Sequence, residues 1–384
     1  MRISIEAKEL KTLLEKVTPQ IDKKSKVSIL QCVLLKAENN TLSATTTDLT
    51  TYLTVNTKQY NSMENGSILV HNDDIKLIGK LKGELDITKT SEVEAVIKAG
   101  KKSISIRLYN VDGFPTIPKN DSNRLFSIQE YQFTNAINKL INFVSNDENR
   151  PLMQCYHINV NKNRIDALDG YRIGMIDITP EYFADSKSIL IHSNINKNLK
   201  KVLSSKSDWN LQFTENDDYI SIIGKDFTYL QRVVKGEYFK VDQMLDFKND
   251  FTMEVNTKEL KDIAKFNLDM VSKDDRNPMV FIYNNETKEH HVYFNSGNYK
   301  AVDKLDIIKA DMMDSDFMIG FNPKFIYDPL NCIDSEQVTI TGTKSNKAPI
   351  TISVESEKYL VLPVNIDASG LLEETIKEAI KNAA

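Results

Sequence analysis

The chain has 384 residues, 41% hydrophobic and 27% charged, with a formal net charge of −5. That length exceeds what one hydrophobic core usually organises, and the composition excludes both a disordered chain and a membrane-embedded one. The negative total also excludes a whole-molecule electrostatic grip on nucleic acid, so any such contact must come from a local concentration of Lys and Arg.

The first elements form a strand that runs into an amphipathic helix, Met1 to Leu14, with acidic Glu6 and Glu9 where a signal peptide would be basic. No apolar run approaches bilayer length, so a cytoplasmic protein is expected. The same strand-to-helix pattern returns at Leu125 to Ile137 and at Phe251 to Ala264. A second landmark repeats in step with it. Ile68–Val70 precedes Asp73–Ile78, Ile189–Ile191 precedes Asn194–Leu199, and Phe317–Ile319 precedes Asn322–Tyr327, at intervals of 121 (189 − 68) and 128 (317 − 189) residues. Such a period is too long for a solenoid or propeller and predicts three tandem copies of one domain.

Between the helices the alternation is that of half-buried strands, at Ser103–Leu108, Leu211–Phe213, Tyr219–Ile222, Val338–Thr341 and Ile350–Val354. Turn residues fall where hairpins need them, at Glu38–Asn40, Asn161–Asn163 and Asn284–Glu286. Each copy is therefore expected to be α+β, two helices on an antiparallel sheet. The expected domains are 1–124, 125–249 and 250–366. Short polar joints at Pro118–Arg124 and Phe247–Asp250 predict a rigid, curved chain. Residues 367–384 read as a C-terminal helical extension with Ser369 at the N-cap and an apolar stripe of Leu372, Ile376, Ala379 and Ile380. Packing on the third domain is the first reading of this tail, and a partner-binding or self-inhibiting segment the second.

Enzyme chemistry finds little material. Cys32, Cys155 and Cys332 are far apart and read as small buried hydrophobes, without a disulfide or zinc spacing. None of His71, His157, His192, His290 and His291 falls in a metal-ligand motif, and no phosphate-cradling glycine loop or nucleophile elbow occurs. Asp48 and Asp169 lie 121 residues apart (169 − 48), the repeat interval, so equivalent structural jobs in two domains are expected of them and not one shared active site. No cofactor and no metal are expected.

An ordered set of short motifs then carries a resemblance: Ala44–Leu49, Asp112–Pro118, Asn149–Leu152, Ala167–Ile173, Val234–Tyr238, Ile319–Asn322 and Val361–Val364. From Met1 to about Ile366 the chain resembles the bacterial sliding clamp, the beta subunit of DNA polymerase III. The resemblance implies a non-catalytic processivity factor, a homodimer joined head to tail into a ring around duplex DNA. An edge strand of the first domain would meet the partner's third domain. Ser103–Leu108 is the candidate for that edge, an internal strand being the alternative.

It also implies sites. A hydrophobic cleft that takes short motifs of polymerases, the clamp loader and repair factors matches Met153, Leu168, Tyr171, Arg172, Ile173, Leu245, Asp246, Leu360, Leu362, Pro363 and Val364, with Arg172 fixing the peptide's polar end. Candidates to face DNA are Lys24, Lys76, Lys80, Arg150, Lys197, Lys200 and Lys201, and a merely solvated face is the competing reading of the helix lysines. The sequence departs from the family's usual residues at Leu168, Tyr171, Phe239, Asp246, Ser28 and Asn194, and Asp246 would set a carboxylate at the rim of an apolar pocket. The runner-up readings are a divergent second clamp and a monomeric clamp-fold interaction protein that does not encircle DNA.

Overall fold

The computed structural model describes residues 1–119, 123–183, 188–271, 277–297, 299–311, 313–366 and 370–383. Contacts group them into two compact units, one of Met1–Asn138, Ile158–Asn163 and Thr179–Gly236, the other of Lys139–His157, Arg164–Ile178 and Glu237–Ala384.

In the first unit, strand Arg2–Glu6 leads into α1 (Ala7–Val17), which buries Ala7, Leu10, Leu13, Leu14 and Val17 at helical spacing. The shorter α2 (Asn72–Ile78) begins where the His71 side chain accepts from the Asp73 amide. The third helix, α3 (Glu130–Leu140), follows strand Asn123–Gln129, and α4 is one turn, Ile195–Asn198. Most strands of this unit belong to one antiparallel sheet. The Glu38–Thr41 hairpin turns through Asn39 and Asn40 with φ of 51° and 56°, as the asparagine pair requires.

Strand Phe227–Arg232 pairs antiparallel with Thr51–Thr57, with Phe227 opposite Val55 and Gln231 opposite Thr51. Strand Lys102–Tyr109 pairs with Glu94–Ala99 from Lys102 to Arg107, but meets Gly66–His71 only at Leu108 and Tyr109. Among the described residues, its stretch from Lys102 to Arg107 thus has a neighbouring strand on one side only.

The second unit holds α5 (Val241–Met244), α6 (Thr257–Met270), α7 (Pro323–Cys332) and α8 (Gly370–Ala383). Asn256 caps α6 by accepting from the Glu259 amide; Asn322 caps α7 at the Lys324 amide, with Pro323 in the first turn. Strands Arg164–Leu168, Arg172–Asp177, Glu357–Val361, Ile350–Val354, Gln337–Gly342, Phe251–Asn256 and Ile307–Asp311 follow one another across a sheet. Here too a strand joins one repeat to the next: Arg172 lies opposite Val361 and Ile176 opposite Glu357. A separate four-stranded sheet runs Lys300–Lys304, Glu289–Asn295, Met279–Asn284, Phe317–Phe321, so Lys300–Lys304 is an edge.

The C-terminal helix packs on that smaller sheet. Ile376 of α8 is fully buried against Val280, Ile282, Tyr293 and Ile366, with Ala379 and Ile380 beside it. This matches the packing expectation for the tail. Ser369, expected at its N-cap, and the side chain of Leu372 lie outside what is described.

Candidate functional site

An apolar hollow in the second unit, with a volume near 330 Å³, is built from several short segments. Met153 comes from the turn Pro151–Gln154, Leu168 from the end of its strand, and Tyr171, Arg172 and Ile173 from the turn and strand that follow. Leu360 and Leu362 close the opposite wall. Leu168, Ile173 and Leu360 are 2%, 4% and 3% exposed and make the floor, whereas Tyr171 and Leu362 at 60% and 37% make the rim. The Leu362 amide donates to the Tyr171 carbonyl at 2.9 Å, which ties the two rims together.

The turn holding Tyr171 owes its shape to Asp169. Its carboxylate accepts from the amides of Tyr171 and Arg172 at 2.9 and 3.0 Å. Asp48 does the same for Thr50 and Thr51 at 2.9 and 2.7 Å, the equivalent structural job expected from the repeat. Gly170 takes φ of +94°, open only to a residue without a Cβ at little cost.

Arg172 differs from its expected role. Its side chain is 5% exposed, and the guanidinium donates to Asp169 at 2.9 Å, Asp328 at 2.6 Å and the Asn142 carbonyl at 2.5 Å. It also lies over the rings of Phe143 and Phe325 at 5.1 and 4.5 Å. With these donors engaged inside the chain, Arg172 supports the floor of the hollow and holds the rim residue Tyr171, whose ring stacks on Phe325 at 5.8 Å.

Four of the expected cleft residues lie apart from the lining. Leu245 lines another small hollow with Arg164, Met175 and Glu357, and Asp246 is exposed beyond α5. Pro363 and Val364 follow Leu362 outside the lining, and the Val364 amide donates to the Gly320 carbonyl at 2.9 Å. In their place stand Phe239, Met244 and Pro349. Phe239 directly follows the motif ending at Tyr238 and was legible there; Met244 is the last residue of α5 and 43% exposed, and Pro349 directly precedes strand Ile350–Val354. A buried polar group steadies α5: Arg164 donates to Asp242 at 3.1 Å, and Asp166, fully buried, pairs with His157 at 3.1 Å. Burial pushes the nearby Tyr238 hydroxyl up from its ordinary value.

The expected DNA-facing residues separate into groups. In the first unit Lys76 and Lys80 line a basic hollow with Lys11 and Lys23 between α1 and α2, and Lys76 is held by Asp73 at 2.8 Å. Lys24 is exposed on the following loop, and Lys197, Lys200 and Lys201 are exposed in and after α4. In the second unit Arg150 is bonded to Asp147 at 3.3 Å and lies beside Met153 and Gly170, at the apolar hollow's edge. Among the described residues no three His, Cys, Asp or Glu side chains converge as a metal site, and no helix is long and apolar enough to cross a membrane. The three thiols are free, and Cys32 and Cys155 are buried.

Residues 1–118 match the family described as DNA polymerase III beta subunit, N-terminal domain, and residues 243–365 match its C-terminal domain. The beta sliding clamp of Pseudomonas aeruginosa is 20% identical over 373 residues, covering 95% of this chain and all of that one. Among solved structures, a putative DNA polymerase III beta subunit from Eubacterium rectale superposes with a TM-score of 0.88 at 25% identity, over 95% of this chain and 99% of that one. The P. aeruginosa clamp bound to griselimycin superposes at 0.85 with 19% identity, over 95% and 100%.

Proposed function

Because the chain belongs to the DNA polymerase III beta subunit family, we propose that two copies of it close into a ring around duplex DNA and tether polymerase and other factors without chemistry of their own. The observation that carries this reading is a junction used twice. Thr51–Thr57 and Arg172–Asp177 are equivalent strands, each pairing antiparallel with the last strand of the next repeat, Phe227–Arg232 and Glu357–Val361. The third member of the first kind is Lys300–Lys304, an edge; the third of the second kind is Lys102–Tyr109, bare on one side to Arg107. One chain therefore carries one unfilled strand of each kind, and a heterologous contact that closes on itself satisfies both. Of the edge expected at Ser103–Leu108, the stretch Ser103–Arg107 supports this reading, whereas Leu108 pairs with Val70.

A closed ring retains DNA by topology, so the negative total of the chain is no obstacle and exposed lysines need only line the passage weakly. Lys24, Lys76, Lys80, Lys197, Lys200 and Lys201 serve as that lining in our reading, and the repeats bounded at 1–124, 125–249 and 250–366 are its segments. The apolar hollow takes a short peptide with leucine or phenylalanine anchors, each worth about 1.5–3 kcal/mol when buried, and tethering raises the partner's local concentration. Cytoplasmic replication follows from this role.

The test is retention on nicked circular DNA after loading, followed by linearisation. A clamp stays on circles and leaves through free ends; retention indifferent to ends would overturn the reading. For the hollow, a Gln-Leu-x-Leu-Phe peptide should bind, and Tyr171→Ala or Leu362→Asp should weaken it at least tenfold without unfolding the chain.

A further inference from the structure

A cluster of polar side chains in the second unit joins three walls of the apolar hollow, although only Arg164 and its neighbours in the adjoining small hollow touch open space. The fully buried Asp166 carboxylate lies 3.1 Å from His157 Nδ1 and accepts from Nε and Nη2 of Arg164, the second at 3.3 Å. That side-on grip leaves Nη1 of the same guanidinium for Asp242 of α5, to which it donates at 3.1 Å. The His157 ring stacks on Tyr238 at 4.5 Å, and Tyr238 meets the Phe239 ring edge-on at 5.5 Å.

Each member stands close in sequence to a residue that lines the hollow. His157 follows Met153 on the same segment, Asp166 precedes Leu168, Asp242 precedes Met244, and Phe239 is next to Tyr238. These walls are not equally firm. Leu168 is paired with Ile173 in a strand ladder. Phe239 and Met244 have no ladder, because α5 is a single turn whose amides bond only to nearby carbonyls, Val241 to Phe239, Gln243 to Lys240 and Leu245 to Asp242. A turn this short does not hold itself in place. Burial of Val241 and the bond from Arg164 fix it.

The strand register offers Arg164 another acceptor. Asp177 lies directly opposite it in the ladder and lines the small hollow together with Arg164 and Leu245. Nη1 nevertheless bonds to Asp242, across to α5.

We propose that Arg164 and Asp242 are positioning residues of the peptide cleft: their bond latches α5 so that Phe239 and Met244 stand as its wall before a peptide arrives, with Leu245 held to the other hollow. A wall ordered in advance removes from binding the entropy cost of ordering it. The latch has one fixed side, since Asp166 holds Arg164 from within, and one half in water, since the Asp242 side chain is 52% exposed. The inference rests on the peptide-cleft reading above.

The experiment compares the full chain with Asp242→Ala, Asp242→Glu and Asp177→Ala. The two alanine variants each remove one carboxylate near the same guanidinium, but only the first breaks a bond to α5. Hydrogen exchange of the segment 239–247 is measured without ligand, and affinity for a Gln-Leu-x-Leu-Phe peptide by fluorescence anisotropy. Asp242→Ala should speed exchange about fivefold and weaken the peptide by a similar factor, with the urea midpoint unchanged. Alanine favours helix, so faster exchange is not an effect of propensity. Asp242→Glu, which keeps the acceptor, should recover most of both, and Asp177→Ala should stay within about twofold of the parent. Unchanged exchange in Asp242→Ala, faster exchange with unchanged affinity, Asp242→Glu no better than alanine, or equal losses in Asp177→Ala each overturn the latch. A parent that does not bind the peptide overturns the cleft reading instead, and the exchange measurement then decides the latch by itself.

Discussion

Replacing Arg172 by Met separates support of the cleft from contact with a ligand. Methionine fills much of the space of the arginine but carries no donors. The buried guanidinium bonds to Asp169, Asp328 and Asn142 and lies over two rings, so its loss strips three acceptors and two aromatic contacts. Breaking one side of a buried ion pair costs about 3–5 kcal/mol. The low end applies here, because Lys324 still holds Asp328 at 2.7 Å and the amides of Tyr171 and Arg172 still hold Asp169. About 3 kcal/mol corresponds to roughly a hundredfold change in an opening equilibrium. Native-state hydrogen exchange of the segment 164–178 reads that opening directly, and should speed up by about that factor, with peptide affinity falling as a secondary effect. If exchange changes less than about threefold while peptide affinity collapses, Arg172 touches the ligand and the supporting role is refuted.

Truncation after Ile366 removes α8 and uncovers Val280, Ile282 and Tyr293; stability of the second unit should fall by about 2–3 kcal/mol in urea titration while peptide affinity holds, and a rise in affinity would instead establish a self-inhibiting tail. His290, stacked on Tyr283 at 4.5 Å, is lowered by burial and by His291 to about 4. The unfolded imidazole takes up its proton near 6.5 while the folded one stays neutral to about 4, so the unfolded state binds more protons in that window and stability must fall as pH drops through it. A His290→Gln variant should show a flatter fall between those pH values, and an unchanged slope would contradict the assignment. Burial also pushes the Cys32 and Cys155 thiols up to about 12, so neither should react with a thiol reagent in the native protein at pH 8, whereas both should on unfolding.

Much of the fold was readable because it depends on local alternation. The stripe of α1 and the hairpin asparagines at Asn39 and Asn40 act within a few residues of themselves. The cleft was readable in part. Leu168, Ile173 and Leu360 belong to strands whose buried face follows from pattern, but Leu245 and Met244 sit one residue apart at the end of a four-residue helix, and no periodicity over so short an element tells which one faces the hollow. Arg172 was found by motif, yet its partners Asn142 and Asp328 lie 30 and 156 residues away.

By itself, then, the sequence determined the threefold repeat, the strand and helix order and the turn residues, since each is written in short-range spacing that the backbone obeys wherever it is placed. The tertiary structure decided which strands are left with a bare edge, where the Arg172 guanidinium finds its acceptors and which face α8 covers. These depend on pairings between residues far apart in the chain, where the cost of an unsatisfied edge or a buried charge is felt only after the sheets have formed.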